Sequence, residues 1–183
     1  MKKYLEKNVY EALQDRLKFI FDNFDNIYVS FSGGKDRGLL LNMVLSYKRR
    51  NKIAKKIGVF HQDFEAQYQT TTDFVSRMFE NNLRDIEPYW VCLPMGSRCA
   101  VSNYQMYWYP WDPDKEELWV RPMPKMPYII NMDNNPFDFY RYKMVQEDLY
   151  AEFGEWYSRQ KKGKTICLLG IRADESLNRF RAY

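Results

Sequence analysis

The residues of this chain with the plainest capacity for chemistry are Ser32-Gly33-Gly34-Lys35-Asp36. They stand between the apolar run Ile27-Tyr28-Val29-Ser30-Phe31 and a stretch with helical spacing. Two adjacent glycines let a backbone approach a ligand closely and take positive φ. The amides of such a turn, backed by a helix N-terminus, direct partial positive charge at an anion. Ser32 adds a hydroxyl donor and Lys35 a cation, a set suited to a di- or triphosphate. The Walker spacing G-x-x-x-x-G-K-[ST] and the pattern G-x-G-x-x-G are both absent. A tight strand-to-helix turn without a ligand is the plainer alternative; the strand, helix, serine and lysine around the glycines favour phosphate.

Two further clusters carry chemistry. His61-Gln62-Asp63-Phe64-Glu65 offers carboxylates that suit ribose hydroxyls or Mg²⁺, a hard ion that takes oxygen ligands. His61 is the single histidine, and with no paired nucleophile a structural role is the commoner one. Gly170 opens a segment in which Arg172 and Arg179 can grip phosphate or sulfate with planar guanidinium forks. The alternative there is an exposed helix start with Glu175 paired to Arg179. Cys92, Cys99 and Cys167 are odd in number and irregular in spacing, which argues against a disulfide framework or a metal site built from this chain alone. None sits where a thiol pKa is evidently lowered, although Arg98 adjoins Cys99.

These clusters need elements to position them. Helical spacing runs from about Tyr4 to Phe24, with Leu5, Val9, Leu13, Leu17 and Ile20 near one face. Asn26 to Phe31 is expected as a strand, and Asp36 as the cap of a helix reaching Arg50. Lys56 to His61 reads as a second strand, Ala66 to Asn81 as a helix, and Tyr89 to Leu93 as a third strand. From Pro94 to Pro127 the alternation breaks into a Trp/Pro-rich insertion. Phe139 to Lys161 returns to helix, Thr165 to Ile171 is a fourth strand, and a last helix begins near Asp174. This order implies right-handed βαβ units and an α/β fold: a mainly parallel twisted sheet with helices on both faces, in one domain over residues 1–183. Ligands bind beyond the carboxyl ends of such strands, where all three clusters fall. The insertion, with Trp108, Trp111, Trp119, Arg98 and Arg121, forms either a wall over that edge, serving an acceptor or partner, or a second small core.

Hydrophobic residues are 45% and charged residues 28% of the chain, a globular balance. A net charge of +4 suits an anionic ligand and is too weak to indicate direct nucleic-acid binding. Lys48-Arg49-Arg50 and Lys161-Lys162 are expected as solvated helix ends. With no apolar leader and no stretch of membrane-spanning length, the reading is soluble and cytoplasmic.

The loop resembles the SGGKDS motif of the PP-loop ATP pyrophosphatase and PAPS-reductase superfamily, with Arg37 where the motif ends in serine. Gly170-Ile171-Arg172-Ala173-Asp174-Glu175-Ser176-Leu177-Asn178-Arg179 resembles that group's G-[IL]-R-x-x-E-S-x-x-R segment. The runs Asp63 to Tyr68, Trp108 to Pro113 and Trp119 to Pro124 look like the subfamily that includes the immunoglobulin-binding regulator A group. The resemblance implies an adenine nucleotide alpha-hydrolase-like (HUP) fold, and in that group a longer chain and a ParB-like partner protein.

On this reading ATP, or alternatively PAPS or APS, is held by Ser30, Ser32, Gly33, Gly34, Lys35, Asp36, Asp63, Gly170, Arg172 and Arg179. Lys35, Asp36 and Arg172 carry the reaction, and Asp36 and Asp63 hold Mg²⁺. The expected reaction splits ATP between its α- and β-phosphates, giving pyrophosphate and AMP or an adenylyl group for an acceptor. The alternatives are a nucleotide-sensing module without turnover, and sulfonucleotide chemistry with a partner's thiol. The C-terminal cysteine segment of PAPS reductases is absent, so reductase activity from this chain alone is not expected.

Overall fold

The computed structural model describes residues 6–171. Helix α1 spans Val9–Asn23. It begins later than its apolar spacing suggests because Asn8 and Glu11 form a capping box, the Asn8 side chain accepting from the Glu11 amide at 2.9 Å. Val9 consequently lies exposed, and the buried face runs through Leu13, Leu17 and Ile20. Strand β1 (Asn26–Ser30) leads into α2 (Lys35–Arg50), then β2 (Ile57–Gln62), α3 (Gln69–Glu80) and β3 (Ile86–Val91). All six β2 residues are buried, as expected of an interior parallel strand covered on both faces.

After β3 the chain forms a two-stranded antiparallel ribbon, β4 (Ser97–Arg98) with β5 (Tyr107–Trp108), and a 3₁₀ turn over Pro113–Leu118. It returns to the main sheet as β6 (Ile129–Ile130). Helix α4 (Gln146–Arg159) and β7 (Thr165–Leu169) complete the described chain. The main sheet is five-stranded and parallel, in the order β6-β3-β2-β1-β7. The chain therefore steps outward from β1 through β2 and β3 to β6, then crosses back to lay β7 on the other side of β1. The strand order reverses between β1 and β7, and in open α/β sheets that crevice is where ligands bind.

Strand alternation sorts the core into two layers. Ile27, Val29, Phe31, Ile57 and Val59 pack on one face with Leu17 of α1, Leu41, Val44 and Leu45 of α2, and Val75 and Phe79 of α3. Tyr28 and Phe60 face the other way, onto Leu149, Phe153, Trp156 and Tyr157 of α4. Each fully buried side chain of this size contributes about 1.5–3 kcal/mol of transfer free energy. The sheet is thus flanked by three helices on one face and α4 on the other. None of the described helices is long and apolar enough to cross a membrane.

Several expectations are corrected. α2 is capped by Gly34, with Asp36 inside its first turn. α4 begins at Gln146, well after Phe139. β3 begins at Ile86, because its register with β2 pairs Ile57 with Ile86 and runs through Pro88. Pro88 is tolerated because the neighbour on the far side, β6, pairs only with Trp90 and Val91. Lys48-Arg49-Arg50 does end α2, and Arg49 and Arg50 are exposed there, but Lys48 is buried against Asp85 at 2.6 Å and Arg50 also reaches Tyr10 and Gln14 of α1.

Candidate functional site

At the end of β1 the chain makes its turn through Ser32, Gly33 and Gly34. Gly33 holds φ at +79°, and a Cβ there would lie 2.8 Å from Cγ2 of both Thr71 and Val75. Only glycine permits both that backbone and that approach to α3. Gly34, the N-cap of α2, makes no side-chain capping bond. The first helical bond is donated by the Gly38 amide to the Gly34 carbonyl at 2.8 Å. The amides of Lys35, Asp36 and Arg37 therefore stand as the unpaired donors that every helix start leaves, with the helix dipole behind them.

The far wall comes from β7. A Cβ on Gly170 would fall 3.0 Å from the Arg37 Cα and 3.1 Å from its amide nitrogen. Glycine is thus what lets the chain leaving β7 approach the first turn of α2. Between them lies a cavity of about 330 Å³ lined by Ser32, Gly34, Lys35, Asp36, Arg37, Gly170 and Ile171. It occupies the reversal between β1 and β7. The side chains of Lys35, Asp36 and Arg37 have no hydrogen-bond or ion-pair partner among the described residues. A second hollow of about 200 Å³ adjoins it, sharing Ser32 and Arg37, and is lined also by Ser30, Phe31, Phe60, Gln62, Phe64, Gln146 and Tyr150. Of the expected nucleotide residues, the structure brings together Ser32, Gly34, Lys35, Asp36 and Gly170, with Ser30 next door. Gly33 shapes the turn from behind. Arg172 and Arg179 lie outside the described residues.

Asp63 and the insertion need correction. Asp63 is fully buried, and protein groups occupy both its oxygens. Oδ1 accepts from the Glu65 amide at 2.8 Å and pairs with the Arg121 guanidinium; Oδ2 accepts from Trp90 Nε1 at 2.9 Å. Asp63 is thereby committed to the insertion and lines neither hollow, and among the described residues no acidic, histidine and cysteine cluster stands ready for a metal. Glu65 is spent likewise, accepting from the amides of Trp111 at 2.9 Å and Val120 at 3.0 Å. Trp111 Nε1 donates to the Asp63 carbonyl at 3.0 Å, and Arg121 lies 4.8 Å over the Trp111 ring while donating to the Glu65 carbonyl.

The two carboxylates thus anchor the insertion. Trp111 and Arg121 are core groups: Trp111 joins the same apolar layer as α1, α2 and α3, so this part of the segment extends the main core and is neither a wall nor a separate small core. Trp108 is half-buried on the outer ribbon, and neither it nor exposed Arg98, which pairs with Glu147, lines the cavity at the loop. The larger hollow of about 680 Å³ lies against β6 and is lined mainly by residues such as Pro122, Met123, Pro124 and Met126. Lys125, Asn131 and Asn134 also line it, but no α-helix start opens on it.

His61 is fully buried, with Nδ1 2.8 Å from the Phe31 carbonyl and its ring edge-on to Trp90. Burial pushes its pKa below the ordinary 6.5, against the pull of Asp63 and the Phe31 bond, so the ring is neutral and Nδ1 donates. Burial also raises the thiol pKa values of Cys92 and Cys167. Neither is an activated nucleophile.

Gln62, Gln146 and Tyr150 escaped the sequence reading. The signal for Gln62 was available: an uncharged polar residue closing a strand otherwise set for burial. Gln146 and Tyr150 arrive through the α4 crossover, which local spacing cannot register.

No model of a known protein family matches this chain. It is 38% identical over 179 residues to the uncharacterized protein YbdN of Escherichia coli, an alignment covering 97% of this chain. The chain spans 42% of that relative's length.

Proposed function

We propose that this chain is an adenine-nucleotide-binding domain of the PP-loop, adenine nucleotide alpha-hydrolase-like type, taking ATP with Mg²⁺ and splitting it between the α- and β-phosphates. The observation that carries the reading is the uncapped first turn of α2, with Ser32 and Lys35, opening on the 330 Å³ cavity at the strand-order reversal. Anions bind where orphan amides and a helix dipole converge, and a cavity of this size lies within the range of about 300–1,000 Å³ typical of small-molecule sites. The resemblance to PAPS-reductase-like proteins at the loop and at the Gly170 segment supports the same assignment.

In this reading the amides of Lys35, Asp36 and Arg37 and the Lys35 ammonium hold the outer phosphates. With Asp63 committed to Arg121, Asp36 is the carboxylate at the cavity that would hold Mg²⁺, a hard ion suited to oxygen ligands. When bound, Mg²⁺ would supply neutralisation of the charge that builds up on the leaving pyrophosphate as water or an acceptor attacks the α-phosphate. The protein contributes positioning and preorganised positive charge rather than a covalent step. Arg172 and Arg179, which follow β7 in the sequence, are proposed as further phosphate contacts.

A second reading, nucleotide sensing without turnover and in concert with a ParB-like partner, is favoured by Arg37 at the position where the resembled loop carries serine. A PAPS-dependent reaction would draw on a partner's thiol, because burial disfavours the thiolates of Cys92 and Cys167 and the half-buried Cys99, just after β4, lines neither hollow. Incubation with Mg-ATP and with PAPS separates the three. AMP and pyrophosphate support the first reading, saturable ATP binding without products the second, and thiol-dependent sulfite release the third. Absence of any nucleotide binding contradicts all of them.

A further inference from the structure

The Gln62 side chain is 3% exposed, and neither its Nε2 nor its Oε1 has a hydrogen-bond partner. A buried carboxamide with both groups unpaired is costly, and each such group calls for an explanation. Its polar neighbour Gln146 does not supply one. Gln146 donates to the Tyr150 hydroxyl at 3.2 Å and accepts from Ser97 at 3.3 Å. Gln62 instead lines the 200 Å³ hollow between the carboxyl ends of β1 and β2 and the start of α4, whose aromatic lining of Phe31, Phe60, Phe64 and Tyr150 suits a flat ring. That hollow meets the phosphate cavity at Ser32 and Arg37, so one ligand can reach both.

We propose that Gln62 is the specificity-determining residue for the nucleobase. Its Oε1 accepts from the exocyclic amino group of adenine, and its Nε2 donates to the neighbouring ring nitrogen. A carboxamide offers one acceptor beside one donor, which is the complement of that edge. Arg37, at the junction, spans from the base hollow to the phosphates. The inference rests on the nucleotide reading above and deepens it.

The test is calorimetric titration of the whole chain with ATP, GTP, purine riboside triphosphate and inorganic tripolyphosphate. A bidentate base contact is worth roughly 10- to 100-fold in affinity. Purine riboside triphosphate, lacking the amino group, is therefore expected to bind the unaltered protein at least tenfold more weakly than ATP. Gln62→Leu is expected to erase that difference while leaving tripolyphosphate affinity within about twofold, since the phosphate donors are untouched. Gln62→Glu presents two acceptors and is expected to move the ATP-to-GTP preference at least tenfold towards GTP, whose base offers two adjacent donors.

Equal binding of ATP and purine riboside triphosphate to the unaltered protein overturns the proposal without needing any variant to fold. An unchanged ATP-to-GTP ratio in folded Gln62→Glu overturns it as well. Base discrimination without tripolyphosphate binding would sink the phosphate-loop reading and leave Gln62's role standing. Failure of every ligand to bind overturns both.

Discussion

Lys35 sits exposed at the mouth of the α2 turn with no partner among the described residues, so folding does not depend on it. Lys35→Ala is expected to leave the melting temperature within about 1 °C and to weaken ATP binding roughly 10- to 100-fold, the worth of a charge-assisted contact. Calorimetry beside a thermal melt checks both halves. His61 makes the opposite kind of prediction. Its folded pKa lies below the unfolded value of 6.5, so the stability it lends is present above that pH. That stability is lost as pH falls from about 6.5 towards the folded pKa, at no more than about 1.4 kcal/mol per pH unit. As the chain has one histidine, urea unfolding at pH 7.5, 6.5 and 5.5 should show the loss, and His61→Met, less stable throughout, should lack it over that window.

The Ser32–Asp36 cluster was legible in the sequence because every group it needs is consecutive. Asp63 was not. Its partners Trp90 and Arg121 lie 27 and 58 residues further on, and only the folded chain shows that they consume it.

Among the elements, α2 is clamped at its C-terminal end. At its C-terminus Lys48 and Arg49 close on Asp85, in the turn before β3, at 2.6 and 2.7 Å. The hydrogen bond from Lys48, aided by Arg49 and opposed by burial, holds the Asp85 carboxyl below its ordinary 3.8. A depressed carboxylate stabilises the fold above its unfolded pKa, and the contribution is lost as pH drops through the folded value. Asp85→Asn should therefore cost about 1–3 kcal/mol at pH 7 and lose that deficit in acid. A deficit that stays constant down to pH 3 would show that the clamp is not electrostatic.

The strands and helices of the βα units were readable from spacing, because buried strands and amphipathic helices impose different periods. Their edges were not. The Asn8 cap overrode the spacing that began near Tyr4, and Pro88 hid the first half of β3. β6 has only two residues in the ladder and acquires its identity from Trp90 and Val91 rather than from its own composition.

At the scale of the whole molecule, the insertion is tied to the sheet by buried polar bonds to Asp63 and Glu65, while the cavity at the start of α2 lies between β1 and β7. Core and site should be separable. Trp111→Ala is expected to cost about 3–5 kcal/mol, whereas half-buried Trp108→Ala should cost under about 1. Arg121→Met removes one partner of the buried Asp63 pair, with an expected loss of about 3–5 kcal/mol. Thermal melts of the three variants rank them, and equal losses at Trp108 and Trp111 would show that the outer ribbon is core too. None of the folded variants should change ATP affinity by more than about twofold, since additivity holds for separated sites.

The position of the cavity follows from topology more than from composition. Five parallel strands in the order β6-β3-β2-β1-β7 open the sheet between β1 and β7, and the loop after β1 sits in that opening. The central claim is that phosphate is held by the uncapped amides at the start of α2. Backbone amide chemical shifts, recorded as Mg-ATP is added to the labelled protein, test it most directly. The amides of Gly34, Lys35, Asp36 and Arg37 are expected to move together and saturate at one affinity, with those of Asp63 and Glu65 nearly still. Saturating ATP with these four amides unmoved, or with the shifts gathered around Pro122 to Pro127, would contradict it.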